Sequence, residues 1–493
     1  MKTTNKYRTG SMGLLKTAAC CAVTALTLSL GGCKAPTLTP TETVTLPDTF
    51  TGDADTTTMA SLPWKAFFPD PILTAYLDTA LARNHSFLQT LEQVSMARAQ
   101  VKVGKGALWP EVRLGLEAGV QRFGDHTMDG VGNSTTNTPD LPKDLHIPDP
   151  YRDFNLGLSF QWEADLWGKL TDKKRAAVHR WMQSVEARRL AQTMLVCEVA
   201  EVYYRLIGLD KKHFVLTETI EKASNAYLLA KELMNEGEES RLSVDQFHSY
   251  RLKLEELLLD TDQQIDETER AMAVLLGKMP FKVQRSTFEE ISESDFPVET
   301  GIPAQLLRNR PDVQAAEFAL LACKSDVRAA RKAFFPSLML GGSGGFNAFN
   351  TKEWFNPPGS LVWNLAAGLT APIFQRNQLR ALWDEANSRQ RIALLDYHET
   401  VLQSYVEVLN LITSSEKMGR RKALKQEESR IHHRSIYSAN ELFKTGYAGY
   451  AGYLDVLSAD ERYLACELER IDLNIAYCQL YAQLYRSLGG GRF

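Results

Sequence analysis

Strong charge of either sign is missing from this chain: 56 Lys and Arg stand against 60 Asp and Glu, a net charge of -4. No basic run interleaved with aromatics occurs, which argues against RNA or DNA as a partner. Cysteine is scarce. Of seven, Cys20, Cys21 and Cys33 lie in the N-terminal segment, and Cys197, Cys323, Cys466 and Cys478 sit in helical patterns. On one helix, Cys466 and Cys478 would lie about 18 Å apart, too far to bridge. Buried free thiols are therefore expected. CxxC, HExxH and any His/Cys cluster with metal-ligand spacing are absent. His432 and His433 are adjacent, so on a helix they point about 100° apart and share no face. The glycine-rich segment 341–345 lacks the Lys and the following helix of a phosphate loop. The chain thus offers no catalytic set and no metal set, and no enzyme activity is expected. Long apolar runs are also missing. The one candidate, Ala18 to Leu30, is too short for a transmembrane helix.

That run follows Lys2, Lys6, Arg8 and Lys16 and has the shape of a secretory signal. Lys16 and the run both follow Met12, an alternative start. The run ends Leu30-Gly31-Gly32-Cys33, which resembles the lipobox of bacterial lipoproteins. The resemblance implies a signal peptide over 1–32 and a lipidated Cys33 carrying S-diacylglycerol and N-palmitoyl groups. It also implies sorting to the outer membrane, because Lys34 rather than Asp follows the cysteine. A cysteine that merely follows a signal is the plainer alternative. Residues 34 to 60 are rich in Thr, Pro and Asp, which predicts an extended tether over 33–60 with no core of its own.

What the remaining sequence has is repetition. Ala107-Leu108-Trp109-Pro110 leads into VRLGLEAGV, and Ala333-Phe334-Phe335-Pro336 leads into a second apolar segment. Phe154-Asn155-Leu156 is echoed by Trp363-Asn364-Leu365, and Leu276-Gly277 by Leu488-Gly489. Each half, 61–300 and 301–493, reads helix, strand, loop, strand, long helix, long helix. This predicts an internal tandem duplication forming one pseudo-symmetric unit.

Four strands are expected, at about 111–121, 153–163, 337–346 and 361–371. In the first, Val112, Leu114, Leu116, Ala118 and Val120 alternate with polar or small residues; the second and fourth do likewise. The third is Gly-rich, with small residues on both faces. Strands of about this length suit a transmembrane barrel, but the alternation fits equally a soluble sheet with one buried face. The polar segments 122–152 and 347–360 read as long solvated hairpin tips. Four strands cannot close around water, and open edges in lipid are not viable. A membrane reading therefore requires several chains to pool their strands.

Helices are expected over about 170–235, 243–277, 379–444 and 453–488, the two longest reaching roughly 100 Å. Trp64 to about Leu108 reads as a helical unit whose main helix starts at Asp70-Pro71.

Six segments together resemble one family: 64–71 (WKAFFPDP), 301–312 (GIPAQLLRNRPD), 329–337 (AARKAFFPS), 371–375 (APIFQ), 453–457 (YLDVL) and 488–491 (LGGG). The chain is similar to the TolC-type outer-membrane efflux channels, in their OprM-like lipoprotein branch. The resemblance implies an α+β membrane protein. It implies a homotrimer pooling four strands per chain into a 12-stranded barrel, a periplasmic helical barrel and an equatorial collar. Implied partners are a periplasmic adaptor, an inner-membrane efflux transporter and outer-membrane lipids, with no nucleic acid. Implied cargo is drugs, solvents or metal ions, although the twelve methionines form no paired soft-ligand cluster. The family's acidic gate falls on Asp245 and Asp455, each of which reads equally as a helix cap. Ser458 replaces a second acidic position, with Asp460 two residues on, and the tandem GYA at 446–453 lengthens that tip. Other readings are a duct for type I protein secretion, or a lipid-anchored periplasmic coiled-coil scaffold without a pore.

Overall fold

The computed structural model describes residues 46–50, 58–59, 62–289, 301–444 and 453–490. The signal, Cys33 and the tandem GYA lie outside the described residues. In chain order the elements are helices α1 (Trp64–Phe67), α2 (Pro71–Arg83) and α3 (His85–Gly106), then strand β1 (Glu111–Gln121). A short helix α4 (Met128–Thr136) precedes β2 (Tyr151–Ala164), followed by the long α5 (Lys169–Glu236) and α6 (Arg241–Leu275). The second half runs α7 (Leu306–Asn309), α8 (Pro311–Lys332), β3 (Ser337–Ala348), β4 (Leu361–Thr370), α9 (Gln378–Lys444) and α10 (Tyr453–Ser487).

The long helices persist because nothing interrupts them. α5 has 68 residues and α9 has 67, neither with an internal proline. At 1.5 Å per residue each is about 100 Å long. The single glycine within α5, Gly208, has a packing reason: a Cβ there would lie 2.6 Å from Ile475 Cγ1. Its bare backbone lets α10 approach α5 closely, which offsets the roughly 1 kcal/mol that glycine costs in a helix.

The main core sits where the middle of α5 meets the end of α10 and the N-terminal helices. Phe67 stacks on Tyr481 at 4.6 Å and on Tyr485 at 4.1 Å. The Tyr485 hydroxyl donates to the Leu62 carbonyl at 2.6 Å. Tyr203 is buried and donates to Asp70 Oδ2 at 2.7 Å. Asp70 also caps α2 by accepting from the Ile72 and Leu73 amides.

The structure adds detail to three sequence expectations. The helical unit 64–108 is broken at Asn84, whose side chain caps α3 through the Phe87 amide and donates to Leu275 O at 2.9 Å. Of the tether segment, Phe50 and Met59 are buried in the main core, and Phe50 stacks on Tyr405 at 5.7 Å. The segment 122–152 is not merely a solvated loop. It contains α4, capped by Thr127, and a clamp in which Asn137 exchanges hydrogen bonds with the backbone of Ile147.

Candidate functional site

The four strands form one antiparallel sheet in the order β1-β2-β3-β4. Its register aligns every apolar stripe. Leu114 pairs with Leu158, Leu158 with Gly344, and Gly344 with Trp363; Leu116, Leu156, Phe346 and Leu361 form the next row. Cross-strand partners point the same way, so one face is apolar from edge to edge. The opposite face carries Arg113, Glu117, Asn155, Ser159, Gln161, Ser343, Asn347 and Asn364, interspersed with Gly115, Gly157 and Gly345.

Among the described residues no helix covers the apolar face. Leu114 is 71% exposed and Trp363 76%. Every residue of β1 and of β4 is exposed, because these are the two unpaired edges. The polar side holds a hollow of about 370 Å³ lined by residues including Glu111, Arg113, Ser159, Gln161 and Met339. Gly345 shows why small residues are needed: a Cβ there would lie 2.2 Å from Leu156 O and 2.4 Å from Gly157 Cα. The glycine run of β3 therefore serves close strand approach as well as small faces, a role its spacing does not reveal.

At the base of the sheet, chain direction changes twice, from β2 into α5 and from α8 into β3. Asp172 is fully buried there. It accepts from Lys332 at 2.6 Å and Arg175 at 3.1 Å, with Arg328 at 3.5 Å. Trp167 Nε1 donates to Pro336 O at 2.7 Å across the same junction. Sequence reasoning missed Asp172, since Lys332, 160 residues away, and Arg328 reach it only from α8.

The opposite ends of the long helices carry the two aspartates singled out by sequence. α5 stops at Gly237, whose φ of +83° suits glycine; its amide reaches Met234 O, and the Glu238 amide reaches Leu233 O. Ser240, not Asp245, caps α6 by accepting from the Ser243 amide at 3.2 Å. Asp245 lies one turn further, exposed, and is paired with Arg241 at 3.4 Å. Asp455 is exposed in the first turn of α10, where a carboxylate favours the positive helix end. Leu457 packs on the cluster of Ala230, Val244 and Phe247. That contact brings Asp245 and Asp455 to the same end of the helical body. Asp460 is half-buried one turn beyond Asp455, and burial pushes its carboxyl above the usual range, partly offset by Lys222.

A third cluster crosses the second long hairpin. Glu428 and His432 of α9 face Cys466 of α10, with their ligand atoms within 4.8 Å of one another. Of these, the sequence pointed only to His432 and Cys466, as separate residues. Among the described residues Cys197, Cys323, Cys466 and Cys478 are free thiols.

A sheet apolar on one side and polar on the other, mounted on helices of about 100 Å, is the architecture of a membrane-inserted channel. The family model described as outer membrane efflux protein matches residues 76–278 and 302–490. The chain belongs to that family. It is 26% identical over 475 residues to the pyoverdine export outer membrane protein OpmQ of Pseudomonas putida, covering 94% of this chain and 96% of that protein. It is 27% identical over 442 residues to the toluene efflux pump outer membrane protein TtgF of Pseudomonas putida, covering 88% and 86%. Solved structures share the fold. CusC matches with a TM-score of 0.78 at 22% identity, covering 92% of this chain and 100% of that chain. The open state of the Neisseria gonorrhoeae channel MtrE matches with a TM-score of 0.79 at 22% identity, covering 93% and 98%. These are outer-membrane efflux and channel proteins by name, not enzymes, and the outer membrane is where the family places this chain.

Proposed function

We propose that this protein is the exit channel of a tripartite efflux pump, conducting small toxic compounds passively from the periplasm to the outside. The observation that carries the reading is the sheet. Its continuous apolar face is exposed, its polar face holds a hollow, and both edges are unpaired. Lipid on one side and water on the other satisfy both faces, but only closure removes the edges. A homotrimer would join β4 of each chain to β1 of the next and close a 12-stranded barrel. The helical hairpins would continue it as a tube, where a periplasmic adaptor and an inner-membrane transporter engage it. The two-part family match, 76–278 and 302–490, supports an internal duplication as the origin of the repeated hairpins. Cys33, acylated and bearing diacylglycerol, would anchor each chain in the outer membrane.

Asp245 and Asp455 would line the periplasmic entrance, two per chain and six per trimer. Repulsion among carboxylates would draw cations and resist closure. Arg241, paired with Asp245, would reduce that repulsion. Entrance widening would then be a movement of the helix ends.

The test is single-channel conductance of the detergent-purified protein, alongside the Asp245→Ala/Asp455→Ala variant. Small, cation-selective currents that grow in the variant are expected. Currents unchanged by the substitutions would keep the pore and move the constriction elsewhere. Protein that stays soluble without detergent and passes no current would overturn the pore.

A further inference from the structure

We propose that Glu428, His432 and Cys466 form a three-ligand site for a borderline divalent cation of the Zn²⁺ class, joining α9 to α10. Glu428 and His432 are four residues apart, which places them on one helix face. His432 Nε2 lies 3.7 Å from Glu428 Oε1. Tetrahedral zinc holds N and O ligands about 3.4 Å apart, given bonds of about 2.0 to 2.2 Å. That pair is therefore already near its liganding distance. Cys466 Sγ comes from the facing helix, all three atoms lying within 4.8 Å of one another. Contraction by about 1 Å, within reach of side-chain rotation, completes the set, and a fourth position stays open for water.

The surroundings suit a cation. Lys425 occupies the other Glu428 oxygen, Oε2, at 2.7 Å and reaches Glu469 at 2.7 Å with the same ammonium group. It thereby orients the carboxylate with Oε1 toward His432, as outer partners of metal ligands do. Cys466 is buried, which shields a metal thiolate from solvent and from disulfide exchange. One thiolate, one imidazole and one carboxylate match zinc and its analogues rather than magnesium or calcium. The ordinary alternative is a helix-surface Glu–His pair beside an inert thiol.

The experiment is Co²⁺ titration of the detergent-purified full chain, tagged without histidines and stripped by chelator. One cobalt per chain with a thiolate-to-cobalt charge-transfer band is expected. Cys466→Ser should abolish the band, His432→Ala should weaken binding tenfold or more, and Cys323→Ser should change neither. Zn²⁺, but not Mg²⁺, should displace the bound Co²⁺ and bleach the band in the unaltered protein, a readout that needs no variant. A band that persists in Cys466→Ser, a band that Zn²⁺ leaves unchanged, or no band at all would overturn the site. Neither readout depends on conductance, so failure here leaves the channel reading untouched.

Discussion

Arg310 reaches across to Glu407: its Nη1 donates to Glu407 Oε2 at 2.8 Å from the start of α8 to the middle of α9. The same nitrogen donates to Ser487 O at 2.8 Å, and the remaining donors form a two-pronged pair with Asp312. Glu407 in turn accepts from Arg486 at 2.6 Å. One buried guanidinium therefore ties α8, α9 and the end of α10 at the level of the main core. The segment RPD carries this function: Arg310 is the strut, Pro311 starts the helix and Asp312 holds the fork.

Arg310→Ala should destabilise the chain by about 2 to 3 kcal/mol, because it strands Asp312 and leaves Glu407 with Arg486 alone. Arg310→Lys should recover only part, since a point charge cannot make the planar fork. Thermal unfolding of the purified protein checks both. Equal stability for Arg310→Ala and the unaltered chain would show the strut to be dispensable.

Gly345→Val and Gly119→Val are a matched pair on β3 and β1. A Cβ at Gly345 would meet Leu156 O at 2.2 Å, whereas nothing lies within 4 Å of one at Gly119. The backbones of β2 and β3 cannot separate without losing ladder bonds, so Gly345→Val should cost about 3 kcal/mol or more. Gly119→Val should stay within about 1 kcal/mol. Outer-membrane yield and resistance of the assembled protein to heat in detergent provide the comparison. Similar behaviour of the two variants would mean that the β2–β3 approach is not limiting.

Asp172→Ala should leave Lys332, Arg175 and Arg328 gathered without their anion, at a cost of about 1 to 3 kcal/mol because these cations still reach water. Removing Lys332 as well should restore part of the loss, because the two residues share one interaction. A double-mutant cycle in thermal stability measures this. Additive losses would show that Asp172 and Lys332 act independently.

The legibility of this fold follows from the range of each interaction. The long helices could be read because local sequence sets them: α5 and α9 lack proline, and Gly237 ends α5 with a positive φ. Strand faces could be read because alternation is local as well. What could not be read depends on distant partners. Asn84 breaks a helix pattern and donates to Leu275, 191 residues away. Asp172 has no charge signature until Lys332 folds against it. Cys466 acquires Glu428 and His432 only when α9 and α10 lie side by side. At the tip, the sequence placed Asp245 near a helix start but not the nearer Ser240, whose hydroxyl satisfies the cap.

Asp460 gives the clearest pH dependence. Burial raises its carboxyl above the usual range, and Lys222 offsets only part of that. A raised folded value means that the folded chain binds this proton more tightly than the unfolded chain. Its stabilising contribution is thus fully present below the ordinary value of 3.8 and is lost as pH rises through the folded value. Asp460→Asn is neutral at every pH and has no such loss. The variant should therefore be the more stable protein at neutral pH, by the order of 1 kcal/mol. The advantage should shrink as pH falls toward 3.8. Unfolding midpoints of both proteins across that range are the measurement. If Asp460→Asn were instead less stable at neutral pH, attraction to Lys222 would outweigh desolvation, and Asp460 would act as an ion-pair partner between α5 and α10.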